Sequence, residues 1–310
     1  MYSHLRFILK IYHSEMDTNF YHLPVMLNEI DQYLITKNTG YYVDCTFGGG
    51  GHSSYLLNKY KDINIIAFDQ DTDSLKRFNE NPQLQKFKDR IIFCHDNFRN
   101  IEKNLKKLNI PKINGLLADL GVSSKQLDDK TRGFSFNSND MLDMRMNKEQ
   151  ELTAYEVVNT FSKEKLQDIF FKYGEESFSK QIAQKIVEER IKGNIKTCNQ
   201  LTDIVCKVKW AKGKINSATK IFQALRIYVN DELGSLQEML NSIPNVLDTG
   251  ARAAILTYHS LEDRIVKQTF KENKDLNIIN KKVIIATEEE IKNNPRSRSA
   301  KLRVAEKKNG

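Results

Sequence analysis

Asp44-Cys-Thr-Phe-Gly-Gly-Gly-Gly-His-Ser53 follows the short apolar run Tyr41-Tyr-Val43 and runs into a helix-like segment, Ser53-Ser-Tyr-Leu-Leu-Asn-Lys59. Four consecutive glycines are entropically costly, and only glycine lets a backbone turn this sharply and also lie flat against a ligand. A strand, a glycine turn and a helix N-terminus make the nucleotide-cofactor corner of an open α/β sheet. Asp69 ends the next apolar run, Asn64-Ile-Ile-Ala-Phe-Asp69. That is about the spacing at which a carboxylate accepts ribose hydroxyls.

The rhythm continues outward from this corner. Arg90-Ile-Ile-Phe-Cys94 and Ile113-Asn-Gly-Leu-Leu-Ala-Asp119 read as further buried strands, with helices expected near Thr72–Phe78 and Ile101–Leu108. Continuous apolar strands separated by amphipathic helices predict a parallel sheet covered on both faces. The rhythm then stops. No proline occurs between Pro111 and Pro244, and helical spacing dominates from about residue 150 to 212. A helical insertion is expected over residues 128–216, followed by one long helix carrying Ile221, Leu225, Val229, Leu233, Leu236 and Leu240 on a face that packs back on the sheet. Strand patterns return at Ala253–Tyr258, Lys282–Ile285 and Lys301–Ala305.

Composition bounds the class. The 310 residues are 40% apolar and 28% charged, a globular balance, and no run approaches the roughly 18–20 apolar residues of a membrane span. The net charge is +8, and the stretch from Ile291 to Gly310 holds seven basic residues against one acid, Glu306. Such an end can meet phosphates. Cys45, Cys94, Cys198 and Cys206 form no CxxC pair, which predicts reduced thiols in a cytoplasmic protein and neither a disulfide frame nor a metal site. Residues 1–20 read as a poorly ordered extension with no signal-peptide pattern, and Met16 is a second candidate start.

Two cofactors suit the glycine turn. A dinucleotide fold wants a third glycine where Ser53 stands; an acid at the end of strand one followed by Gly48 and Gly50 suits S-adenosylmethionine better. Beyond the turn, the segments Tyr21-His-Leu-Pro-Val-Met26, Asp119-Leu-Gly-Val-Ser-Ser-Lys-Gln-Leu-Asp128, Arg132-Gly-Phe-Ser-Phe136, Leu142-Asp-Met-Arg-Met146, Phe222-Gln-Ala-Leu-Arg-Ile-Tyr-Val-Asn230, His259-Ser-Leu-Glu-Asp-Arg264 and Asn294-Pro-Arg-Ser-Arg-Ser299 resemble, in order, the bacterial small-subunit ribosomal RNA methyltransferase H family. The resemblance covers about residues 21–306; Gly49 departs mildly from it and the first fifteen residues fall outside it. It implies a Rossmann-like class I methyltransferase sheet over residues 21–127 and 217–310, with residues 128–216 as the RNA substrate domain. It also implies methyl transfer from S-adenosylmethionine to N4 of a decoding-centre cytosine in 16S rRNA within the small ribosomal subunit. A homodimer is left open.

By position, the resemblance puts Gly50, Gly51, His52, Asp69, Phe98, Asp119 and Gln126 at the cofactor. Arg132, Arg226, His259 and Arg264 join Arg296, Arg298, Lys301 and Arg303 as candidate RNA contacts. The amino lone pair of cytosine is delocalised into the ring, so an acceptor aimed at its N–H groups is needed. The segment after strand four, Asp119-Leu-Gly-Val-Ser-Ser124, lacks the prolines and aromatic of many amino-group methyltransferases. Asp119 or a loop carbonyl is the expected acceptor, with Ser123 and Ser124 as secondary candidates. Carbon-5 methylation needs a cysteine nucleophile near strand four or five, and none of the four cysteines lies there. Three rivals stay open: a methyltransferase acting on another RNA, a protein or a small molecule, a nicotinamide dehydrogenase, and a cofactor-binding assembly factor without turnover.

Overall fold

The computed structural model describes residues 24–136, 138–209 and 217–309. The extension expected at residues 1–20 and the end of the insertion at 210–216 lie outside the described residues.

The chain alternates as the sequence predicts: α1 (Leu27–Leu34), β1 (Thr39–Asp44), α2 (Gly51–Lys59), β2 (Asp62–Asp69), α3 (Thr72–Glu80), β3 (Ile91–His95), α4 (Ile101–Lys107) and β4 (Ile113–Asp119). After a short α5 (Ser124–Asp128) come the helices α6 (Ala154–Thr160), α7 (Lys163–Gly174), α8 (Ser179–Lys192), α9 (Cys198–Val208), α10 (Thr219–Asn230) and α11 (Glu232–Val246). β5 (Leu247–Thr257), α12 (Ser260–Glu272), β6 (Leu276–Ile278), β7 (Ile284–Ile285) and β8 (Lys301–Lys307) complete the chain. The sheet order is β3-β2-β1-β4-β5-β8-β6, with β7 paired to β8. β1 to β5 are mutually parallel and β8 runs antiparallel to β5. This is a Rossmann-like sheet whose strand order reverses between β1 and β4, the crevice where such folds take ligands.

Burial in β2 runs through Ile65, Ile66, Ala67 and Phe68 without alternation, because helices cover both faces. One face packs α4, α11 and α12 through Leu105, Leu236, Leu240, Val266 and Phe270. The other packs α1, α2 and α3 through Ile30, Leu34, Leu57 and Phe78. A separate core lies among α6 to α10.

The structure corrects two sequence expectations and places one expected RNA contact in the interior. The single long helix is two, broken at Asp231, which adopts φ 47°. Aspartate tolerates the left-handed conformation better than most residues, and the following turn needs Gly234, where a Cβ would come within 2.5 Å of Asp231 Oδ1. Ile221, Leu225 and Val229 of α10 therefore join the helical core, and only α11 returns to the sheet. The strand expected at Lys282–Ile285 shrinks to two residues, and β6 appears where no strand was expected. Arg132, expected to contact RNA, is only 4% exposed. Its Nη1 donates to Asp71 Oδ2 at 2.9 Å and Asp73 Oδ2 at 3.0 Å, and its Nη2 to the carbonyls of Arg145 and Met146. Gly133 turns beside it at φ +72°, with Met141 O only 2.4 Å from where a Cβ would stand. The segments around Arg132 and Leu142–Met146 thus form a strap tying the helical core to α3.

Breaking a buried ion pair by removing one partner costs about 3–5 kcal/mol, because the remaining charge stays uncompensated. Arg132→Met is expected to lose stability on that scale in denaturant unfolding, whereas Arg298→Met, at an exposed position, should stay within about 0.5 kcal/mol of the parent.

Candidate functional site

A cavity of about 650 Å³ opens over the C-terminal ends of β1, β2 and β4, within the range of small-molecule sites. Its floor is the glycine turn. Gly50 N–H bonds to Phe47 O and Ser54 N–H to Gly50 O, so the turn passes directly into α2. Gly48 (φ +52°) donates its N–H to Asp69 Oδ2 at 2.8 Å. A Cβ on Gly49 would meet nothing within 4 Å, so this stretch of backbone lies bare to the cavity. Ser53 holds the strand end behind the turn. Its hydroxyl donates to Asp44 Oδ2 at 2.6 Å, while Thr46 N–H reaches Asp44 Oδ1.

The structure brings most expected cofactor residues to this cavity. Gly51, His52, Asp69, Phe98, Asp119 and Gln126 line it. Gly50 does not. At φ +72° a Cβ there would sit 2.6 Å from Leu84 Cδ2 and 2.7 Å from the Phe47 ring, so Gly50 serves packing beneath the turn. His52 Nε2 lies 2.9 Å from Val25 O, and its Nδ1 is 3.9 Å from Asp119 Oδ2. Asp69 accepts one backbone N–H on each oxygen, from Gly48 and Asp71. Burial nevertheless pushes its carboxyl above the ordinary 3.8. Ser123 and Gln126 form a capping box at α5, and Gln126 Nε2 donates to Asp71 Oδ2 at 2.8 Å. The Ser123 hydroxyl oxygen accepts the Gln126 N–H in that cap.

Asp119 stands at the end of β4. Its N–H donates to Thr46 Oγ1 at 2.7 Å, and its Oδ1 accepts the Tyr258 hydroxyl at 2.5 Å. Burial raises its carboxyl above the ordinary value, against the pull of His52 and Tyr258.

The far wall holds groups the sequence reading did not combine. Arg226 donates Nε and Nη2 to the two oxygens of Glu232, a fork-on-carboxylate pair. Glu262 accepts the backbone N–H groups of Tyr258 and His259 on Oε2. Burial pushes Glu232 up, whereas Glu262 lies below its ordinary value because His259 and Arg226 outweigh its burial. Ligand atoms of Glu232, His259 and Glu262 all lie within 4.8 Å of one another. His259 Nδ1 accepts the Glu262 N–H, which leaves the proton of the neutral ring on Nε2. That Nε2 lies 3.1 Å from Glu262 Oε1 without forming a hydrogen bond to it. Arg226 donates to both Glu232 oxygens, so a guanidinium already supplies the positive charge beside this trio. Arg226 and His259, expected at RNA, therefore belong to the cavity wall and to the α12 cap.

The remaining basic candidates divide. Arg303 and Lys301 both face Asp263, at 2.7 and 3.6 Å, which makes them ion-pair partners on the sheet. Arg264 is exposed and pairs at 2.9 Å with Glu175, the residue that caps the C-terminus of α7. Arg298 is exposed, and Arg296 lines the cavity with an Nη1 that has no partner among the described residues. Tyr258, Glu232 and Glu262 were missed; Glu262 lies within the His259–Arg264 segment, Tyr258 just before it and Glu232 just after Phe222–Asn230, but nothing in their spacing points inward. No helix among the described residues is long and apolar enough to cross a membrane.

The model of the MraW methylase family matches residues 19–308. The chain is 55% identical over 290 residues to the ribosomal RNA small subunit methyltransferase H of Endomicrobium trichonymphae, covering 93% of this chain and 99% of that one. It is 44% identical over 310 residues to the protein of the same name from Clostridioides difficile strain 630, with 93% and 99% covered. A solved rRNA methylase from Streptococcus thermophilus overlays with a TM-score of 0.41 at 10% identity, across 91% of this chain and 94% of that one, a distance at which the overlay says nothing about activity.

The two glycines separate packing from binding. Gly50→Ala is expected to lower the melting temperature by several degrees, since it adds strain at positive φ and a clash. Gly49→Ala, with open space around its Cβ, should melt within about a degree of the parent.

Proposed function

The chain belongs to the MraW methylase family, and from that premise we propose that it methylates N4 of a decoding-centre cytosine in 16S rRNA of the small ribosomal subunit, with S-adenosylmethionine as donor. The observation that carries this reading is Asp119, a residue on the cavity wall beside the glycine turn, its backbone N–H bonded to Thr46 and its carboxylate held by Tyr258 with Oδ2 free of hydrogen bonds among the described residues.

The residues present fit the donor. Bare backbone at Gly48 and Gly49, the Asp69 carboxylate for ribose hydroxyls and the Phe98 ring would hold it, with Gly51, His52 and Gln126 closing the site. When bound, S-adenosylmethionine supplies a methyl group already activated as a sulfonium. The chain then contributes position and electrostatics. Asp119 accepts an N–H of the target amino group and localises its lone pair. A carboxyl raised by burial also suits it to take the proton that leaves. The base must leave its stack to reach this depth. Arg296, whose Nη2 pairs with Asp128 at 3.4 Å while its Nη1 has no partner among the described residues, and the exposed Arg298 are the groups offered to phosphate, with Arg264 available on leaving Glu175, and recognition rests on subunit shape more than on free sequence. Placing residues 128–216 as the substrate domain remains part of this proposal.

Labelled-methyl transfer to small subunits that lack the modification, followed by digestion and mass spectrometry, tests the reading. Label in N4-methylcytidine at the decoding-centre cytosine supports it; label in another nucleoside, in protein, or nowhere despite bound cofactor overturns it. Asp119→Asn should retain donor binding and lose about 10²–10⁴-fold in kcat.

Binding should also depend on pH. Ribose hydroxyls donate to ionised Asp69, whose carboxyl titrates above its ordinary range. Affinity for S-adenosylhomocysteine is therefore expected to fall as pH drops through that raised value, at a higher pH than an exposed aspartate would give. Calorimetry on Asp69→Asn should show weaker binding without that dependence.

A further inference from the structure

The loop after β4, Asp119–Ser124, contains no aromatic residue. The neighbouring strand supplies one. β5 lies parallel to β4 with Asp119 opposite Leu256, so Tyr258, two residues on, arrives beside the loop. Its hydroxyl donates to Asp119 Oδ1 at 2.5 Å. Its ring lies against Gly121, where a Cβ would come 3.7 Å from Tyr258 Cδ2, and it lines the same cavity. Tyr258 is itself anchored: its N–H donates to Glu262 Oε2 at 2.8 Å, at the cap of α12. The main chain of Asp119 is anchored separately, its N–H donating to Thr46 Oγ1, and Tyr258 is the carboxylate's hydrogen-bond donor among the described residues. One oxygen of Asp119 is thereby committed, while Oδ2 accepts no hydrogen bond among the described residues and has His52 Nδ1 at 3.9 Å.

We propose that Tyr258 is a positioning residue for the methyl transfer, fixing the Asp119 carboxylate so that Oδ2 faces the target amino group and supplying from β5 the ring that the β4 loop lacks. This rests on the reading of Asp119 given under Proposed function. The N–C bond forms from the amino lone pair as the methyl C–S bond breaks, its electron pair staying on sulfur. The amino proton passes to Asp119 Oδ2 and then to solvent. Tyr258 keeps its own proton throughout: burial and the Asp119 charge hold the phenol well above its ordinary value.

The groups facing Asp119 are His52 from α2, Asp44 from β1, Glu262 from α12 and Tyr258 itself. Tyr258 also faces Glu262 and Glu290. Only the Tyr258 hydroxyl disappears in Tyr258→Phe. A hydroxyl donated to a carboxylate favours the ionised form, so its loss raises the Asp119 carboxyl further. If ionised Asp119 is required, the acid limb of kcat moves to higher pH.

The test compares the parent, Tyr258→Phe and Tyr258→Leu with small subunits lacking the modification, and measures S-adenosylhomocysteine binding by calorimetry. The phenylalanine variant is expected to bind that product within about twofold of the parent and keep its KM for subunits. Its kcat should drop about tenfold or more, with the acid limb displaced upward. The leucine variant should lose further kcat and raise KM. An unchanged kcat and acid limb in a folded Tyr258→Phe, or a loss confined to binding, overturns the inference alone. A parent that transfers no methyl to subunits removes the proposed function and this inference with it.

Discussion

A single buried carboxylate, Asp71, joins the three parts of the molecule that must meet at the cavity. It is 1% exposed. Its Oδ1 accepts the Asp73 N–H and so starts α3, while its Oδ2 takes Gln126 Nε2 from α5, the helix that follows the β4 loop, and Arg132 Nη1 from the strap. A buried charge is tolerable only when paired and hydrogen-bonded, and here every partner comes from a different segment. The sheet, the β4 loop and the helical core are therefore satisfied together or not at all. Asp69, two residues earlier, inherits its place from the same turn, since its Oδ1 holds the Asp71 N–H.

The cavity is a concentration of acids. Asp44, Asp69 and Asp119 end or adjoin three parallel strands, and burial raises the carboxyl of each. Such groups oppose folding once ionised, and their cost is offset by fixed donors: Ser53 and Thr46 for Asp44, Gly48 and Asp71 for Asp69, Tyr258 for Asp119. The pattern suits a site that receives a cationic donor and must accept a proton. On the far wall, the single Arg226 serves Glu232 and reaches across the Asp231 break to do so.

The strand–turn–helix corner, the positions of the first four strands and the run of helices after them could all be read from the sequence, because each is a local pattern of apolar spacing and glycine. So could the carboxylates at strand ends, since strand ends are where α/β sheets put their ligands. Partnership was not readable. Arg132 was expected at RNA, and its partner Asp71 stands 61 positions away. Arg303 and Lys301 looked like a phosphate-binding end until Asp263 was seen opposite them. The break at Asp231 was hidden because the apolar spacing runs through it unchanged, while one left-handed residue redirects the axis. Gly49 and Gly50 are indistinguishable as letters, and only the Leu84 and Phe47 side chains beneath the turn tell them apart.

The pairing of β4 with β5 spans the whole helical insertion: Asp119 and the Tyr258 that holds it are 139 positions apart. Contacts of such long sequence separation form late, after local ones have collapsed. The helices between them share a core of their own, whereas the glycine corner is built from residues near in sequence. The carboxylate–phenol pair is therefore the part of the cavity that needs the longest chain closure, and a polypeptide ending before β5 would carry the corner without the phenol.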